Sequence, residues 1–253
     1  MTVRMATLDT VNYLAHAYLS FGIPDVVVGN LISDFVKGKK QLEYPDSIRK
    51  GITLHRAIDT FTDSHAVTRH AKSYFRGVYG LYSGALIDVA YDHFLANDPV
   101  AFAEGAPGPE GAGAPGVGTV GAEGTGVAEE GRAGAPGAGS RAGAPEVGGA
   151  GGLAAFAQQT YRQLATRESL FPERFARLFP YMRDQDWLYH YRYKEGIFNS
   201  FAGLARRAAY MPPPQQACEL FEVHFTDLET CYREFFPSLR DFAVRTMEDR
   251  PIR

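Results

Sequence analysis

The sequence predicts a nearly all-α protein, a single-domain helical bundle, and three observations predict it. Apolar residues recur at three- and four-residue spacing in segment after segment. Alternating strand patterns are scarce, and the breaks between segments fall at Pro or Gly, as at Pro24, Pro45 and Pro212 to Pro214. Setting aside a low-complexity stretch of about 50 residues leaves roughly 200, the size of one domain. The 14 Tyr and 17 Phe are enough for a sizeable interior.

Composition narrows the function classes. A formal charge of −3 excludes an overall polybasic nucleic-acid binder. No apolar run approaches the roughly 20 residues needed to cross a bilayer. The N-terminus, MTVRMATLDTVNYLAHAYLS, has neither an uninterrupted apolar core nor a small-residue cleavage site, so a cytoplasmic protein is expected. Cys218 and Cys231 are read on one helix, where thirteen residues separate them by roughly 20 Å, beyond disulfide reach. Neither has a CxxC partner, which disfavours zinc-thiolate chemistry.

The first expected helix covers residues 10 to 20, TVNYLAHAYLS, with His16 among apolar neighbours. Pro24 and Asp25 open the second, DVVVGNLISDFVKG, which is expected to end near Gly38 and sets Asn30 and Asp34 four residues apart on one face. A basic loop follows, with Lys37, Lys39, Lys40, Arg49 and Lys50. It reads either as an ordinary solvated loop or as a landing site for an acidic partner.

Pro45 starts the third helix, whose stretch GITLHRAIDTFTDSH organises the chain. His55, Asp59 and Asp63 stack on one face while Leu54, Ile58 and Phe61 form a neighbouring apolar stripe. A solvated polar face with Arg56 as ion-pair partner would also explain these charges. A fourth helix, His65 to Tyr79, carries Arg69, Lys72 and Arg76 on its polar side. The fifth, residues 82 to 96, spaces Asp88 and Asp92 by four and adds His93 among Leu86, Ile87, Val89, Phe94 and Leu95, where solvation explains the carboxylates less well.

Residues 103 to 152 hold 18 of the 27 glycines, with repeated GAP units and almost no large apolar side chain. Such a composition cannot offset ordering entropy by burial, so a disordered insertion is expected between residues 10–102 and 153–248 of one domain. Helices are expected again at 153–166, 172–184, 186–208 and 214–248, the last kinked or divided at Pro237. Trp187, Tyr189, Tyr191 and Tyr193, beside His190, Arg192 and Lys194, form an aromatic patch that reads as core packing or as the wall of a substrate channel.

Four helices of the first hundred residues thus present His16, then Asn30 with Asp34, then His55, Asp59 and Asp63, then Asp88, Asp92 and His93. In a bundle interior, facing helices can assemble such groups into a mixed imidazole and carboxylate site. Without thiolate, that donor set favours Mn²⁺, Fe²⁺ or Mg²⁺ over structural zinc, and such a metal suits phosphoester hydrolysis. The Gly-rich insertion lacks GKS or GKT, so no P-loop is present.

NYLAHAYLS, GNLISDFVKG, GITLHRAIDTFTDSH and DVAYDHFLA, in this order, resemble the acyl carrier protein phosphodiesterases, distorted relatives of the HD-domain metal phosphohydrolases. The likeness is close over residues 12 to about 100 and looser beyond, and the Gly/Ala/Pro insertion departs from the family. It implies an HD-domain-like bundle that removes 4′-phosphopantetheine from holo-acyl carrier protein, in lipid metabolism, with Mn²⁺ as cofactor. His16 resembles the leading His of an HD site, and Ser33-Asp34 resembles the His-Asp pair with its histidine missing. Asp88 or Asp92 resembles the closing Asp, while His55, Asp59 and Asp63 match the family's central motif. On that resemblance His16, Asp34, His55, Asp59, Asp88 and Asp92 are the metal candidates. His16 or His93 would protonate the departing serine oxygen, and Arg56 would neutralise the phosphoryl oxygens. Lys37, Lys39, Lys40 and Arg69 would contact the acidic carrier protein. Two further readings stay open: hydrolysis of a nucleotide or other small phosphodiester, and a non-catalytic module binding an acidic partner.

Overall fold

The computed structural model describes residues 13–103, 149–208 and 210–248. Eleven α-helices follow one another among these residues, and no strand occurs. They are α1 (Tyr13–Tyr18), α2 (Pro24–Ile32), α3 (Asp46–Ser64), α4 (Ala66–Tyr79) and α5 (Ser83–Ala96) before the low-complexity stretch. After it come α6 (Gly149–Ala165), α7 (Glu173–Asp184), α8 (Trp187–His190), α9 (Lys194–Arg207), α10 (Pro214–Val223) and α11 (Phe225–Glu248). The all-α class is as expected. No described helix is long and apolar enough to cross a membrane.

The tightest crossing is that of α2 with α3, and two glycines permit it. A Cβ on Gly29 would fall 2.0 Å from the Ile48 carbonyl oxygen, and one on Gly51 would fall 2.3 Å from that of Val26. The two backbones therefore touch. Residues Val26 to Ile32 of α2 are all buried, as a helix apolar around its circumference must be. Helix α5 is similarly interior, its last turns buried from Val89 to Ala96. The second half of the chain closes over the first: α6 packs on α2, α9 on α5, and α11 on α3, α4 and α5.

Several boundaries differ from the sequence expectation. Helix α2 stops at Ile32, and residues 33–35 tighten into a 3-10 turn closed by the Val36 N–H on the Ser33 carbonyl. The basic loop is itself a 3-10 segment, Gly38–Glu43, entered through Gly38 at φ +60°. The expected helix 186–208 is two helices, because the chain turns at residues 191–193 and Gly196 packs on the His190 carbonyl, where a Cβ would lie 2.0 Å away. Helix α11 continues unbroken past Pro237. The last long helix instead breaks at His224, which lets Phe221 of α10 and Phe225 of α11 both reach His93 and Phe94 of α5. Cys218 and Cys231 consequently lie on two helices, so the single-helix spacing does not apply; both are free thiols.

The expected disordered insertion lies outside the described residues over 104–148. Its flanks do not: α6 begins at Gly149, four residues before the expected start at Leu153. A Cβ on Gly152 would sit 1.8 Å from the Phe102 carbonyl oxygen, so the two ends of the stretch meet backbone to backbone.

Candidate metal centre

The α2/α3 crossing sets the register of the centre. Asn30 follows Gly29 directly, Asp34 lies on the 3-10 turn that continues α2, and His55 and Asp59 lie one and two turns beyond Gly51. Helix α1 brings His16 over the same spot, its imidazole stacked on that of His55 with ring centroids 4.1 Å apart and 21° between planes. Both rings are buried, while Asp34 and Asp59 reach solvent, with side chains 22% and 39% exposed.

His16 is held in one protonation form by its neighbours. Asn30 donates its amide to the His16 carbonyl (2.9 Å) and to Ser20 Oγ (3.0 Å), so its Oδ1 is the acceptor facing His16 Nδ1 at 2.7 Å. Nδ1 therefore carries the proton and Nε2 keeps its lone pair. That Nε2 lies 3.3 Å from Asp59 Oδ1 and is buried without a hydrogen bond. His55 Nε2 stands between Asp34 Oδ1 (3.1 Å) and Asp59 Oδ2 (3.2 Å).

The electrostatics follow from two carboxylates set around one imidazole. Burial opposes a charge on His55, but its bonds to Asp34 and Asp59 outweigh burial and lift it to about 10. Burial and the neighbouring His55 charge push His16 down. Burial opposes the Asp59 charge too, but the two histidines hold its carboxyl well below the usual range.

His16, His55 and Asp59 each offer one ligand atom, all within 4.8 Å of one another, as a metal site requires. An oriented imidazole with an unbonded buried Nε2, a second imidazole and two carboxylates suit a divalent cation, with Asn30 as the outer group that fixes the ligand's tautomer.

Other sequence candidates are placed elsewhere. Both oxygens of Asp92 are engaged by α1, accepting from the Leu14 N–H (3.0 Å) and the Ala15 N–H (2.8 Å), so this carboxyl anchors the helix that carries His16. His93 donates from Nδ1 to the Tyr191 carbonyl at 2.7 Å and packs against Phe94, Phe221 and Phe225. Asp88 is half-buried; burial, then the Asp59 charge, push its carboxyl up to about 8. Asp63 pairs with Lys72 at 2.6 Å rather than with Arg56. Arg56 instead donates to Gln41 Oε1 (2.5 Å) and the Val36 carbonyl (3.0 Å), clamping the basic segment to α3 beside His55. Lys39 and Lys40 are exposed on that segment and Lys37 just before it, and Arg69 donates to the Ser64 carbonyl. The orienting part of Asn30 was visible in the sequence only as membership of the Asp34 row. Ser20 gave no signal there.

Fold and centre define a class: a helical protein whose buried imidazoles and carboxylates form a group able to hold a metal ion. The family model for acyl carrier protein phosphodiesterase matches residues 11–106 and 149–239, and the chain belongs to that family. It is an enzyme family of phosphoric diester hydrolases, and the match omits 107–148, most of the low-complexity stretch. Proteins named acyl carrier protein phosphodiesterase from Salmonella paratyphi A, Salmonella agona and Salmonella dublin are each 26% identical to this chain over 234 residues. The alignments cover 92% of this chain and 98% of theirs. No solved structure matches.

Proposed function

We propose that this protein is a metal-dependent phosphodiesterase that hydrolyses 4′-phosphopantetheine from holo-acyl carrier protein, leaving the apo-protein. The observation that carries it is the grouping of ligand atoms of His16, His55 and Asp59 within 4.8 Å of one another, with Asp34 bonded to His55 beside them, in a chain of this family. These four side chains would hold the cation, Mn²⁺ on the hardness of the mixed set, with Mg²⁺ and Fe²⁺ as alternatives. When bound, such an ion supplies Lewis acidity toward a phosphoryl oxygen and lowers the pKa of water.

The chain's own residues do the rest. Asn30 keeps His16 Nε2 unprotonated and aimed at Asp59. Asp92 holds the start of α1, and so His16, in place. The departing serine oxygen needs a proton donor beside the centre. Of the two histidines weighed for that step, His93 is turned away to the Tyr191 carbonyl.

The substrate surface is the Gly38–Glu43 segment. Its exposed Lys39 and Lys40 oppose an acidic protein, and the Arg56 clamp brings whatever docks there beside His55. A carrier-protein substrate implies action in the cytoplasm. Intact-mass analysis of holo-acyl carrier protein incubated with the enzyme, with and without Mn²⁺, tests the reading. Loss of the prosthetic arm only with metal is expected; an unchanged mass in both reactions refutes it.

A further inference from the structure

A groove of about 710 Å³ opens along α8 and α9, lined by Trp187, His190, Tyr193, Asn199, Arg206 and Arg207 among others. None of its lining residues belongs to the metal centre, and its volume lies within the roughly 300–1,000 Å³ of small-molecule sites.

Arg206 and Arg207 end α9, where basic side chains ordinarily offset the helix dipole. Here both also fold back over Gly203. Arg207 Nη1 and Nη2 lie 3.4 and 3.9 Å, and Arg206 Nη2 lies 3.8 Å, from the place where a Cβ would be. Neither guanidinium forms a salt bridge among the described residues, although Glu195 also lines the groove. Two like charges brought to one glycine without an ion pair repel each other, and an anion relieves that repulsion. Guanidinium forks match phosphate oxygens in geometry.

The aromatic side is equally fixed. Trp187 Nε1 donates to Gln185 Oε1 at 3.0 Å, and His190 Nδ1 donates to the Gln185 carbonyl at 2.7 Å, which sets both rings along the groove. Tyr193 is 44% exposed. Rings of this kind stack on a planar base.

We propose that this groove is a second binding site, separate from the metal centre, that takes a nucleoside phosphate: the rings hold the base, and Arg206 and Arg207 hold the phosphates. Trp187 is the only tryptophan in the chain, so its emission reports directly on the groove. The test titrates the full chain, in EDTA, with ADP, adenosine and inorganic phosphate, following Trp187 fluorescence, and repeats each titration by calorimetry in case the indole is insensitive. Saturable ADP binding is expected, tighter than that of either fragment. The double variant R206Q/R207Q should weaken it about tenfold or more, the loss for charged hydrogen bonds, with an unchanged melting curve because both side chains are exposed. Absence of saturable ADP binding at millimolar concentration overturns the proposal. So does phosphate or adenosine binding as tightly as ADP, or a double variant that binds ADP like the parent.

Discussion

The imidazoles of His16 and His55, 39 positions apart in sequence, lie face to face at 4.1 Å. Two charged rings at that distance would repel, so at most one carries a charge: His55 is bonded to two carboxylates, while burial disfavours charge on His16, which faces one carboxylate and an amide oxygen. The pair is therefore asymmetric: His55 carries the charge, and His16 is neutral with its lone pair on Nε2.

Removing a carboxylate from this pair should stop turnover without unfolding the chain. Asp34 and Asp59 are partly exposed and sit at the solvent edge of the centre, so Asp34→Ala and Asp59→Asn should keep the helical circular dichroism of the parent. Activity on holo-acyl carrier protein should fall by about 100-fold or more, with Mn²⁺ affinity reduced in parallel. Full activity in the Asp34→Ala variant would take Asp34 out of the site.

The pH dependence of the metal-free chain has a definite sign. His55 is raised from 6.5 to about 10 in the folded state, so its contribution to stability is fully present below about 6.5 and is lost as pH rises through about 10. Urea denaturation in EDTA should show stability falling across that window, and His55→Gln should flatten the fall. Mn²⁺ must displace the same proton, so its affinity should increase over the same range; a pH-independent affinity would contradict the arrangement.

Gly51 is a steric requirement of the helix crossing. In Gly51→Ala the new methyl meets the Val26 carbonyl 2.3 Å away, with backbone on both sides and no flexible side chain to yield. Destabilisation of about 3 kcal/mol is expected, at the upper end of overpacking costs, readable as a lowered urea midpoint. A neutral result would mean that α2 and α3 can separate freely.

Charge reversal on the basic segment should act on encounter rather than chemistry. Lys39→Glu with Lys40→Glu is expected to raise KM for holo-acyl carrier protein several-fold and to weaken its salt dependence, leaving kcat near the parent value. An unchanged KM would make this an ordinary solvated surface.

The low-complexity stretch should be dispensable for folding. The family match omits residues 107–148, and Phe102 and Gly152 already touch. Replacing 107–148 by a Gly/Ser linker of about six residues should preserve helicity, cooperative melting and activity. Loss of cooperative unfolding would show that these residues contribute to the domain.

The sequence by itself determined the helical class and the rows of His and Asp from which a centre could be built. Periodicity places side chains on helix faces, and an i, i+4 row of His55 and Asp59 is visible in one dimension because both residues belong to one helix. Only the tertiary structure decided which rows face each other. Asp34 meets His55 because a 3-10 turn, not a continued helix, carries it, and because two glycines let the backbones of α2 and α3 touch. Asp92, equal to Asp88 in the pattern, is spent on the Leu14 and Ala15 amides, a pairing 77 and 78 positions away that no local period encodes. The division at His224 rather than Pro237 has the same origin. Helix ends follow the contacts that bury Phe221 and Phe225, and burial is a property of the assembled chain.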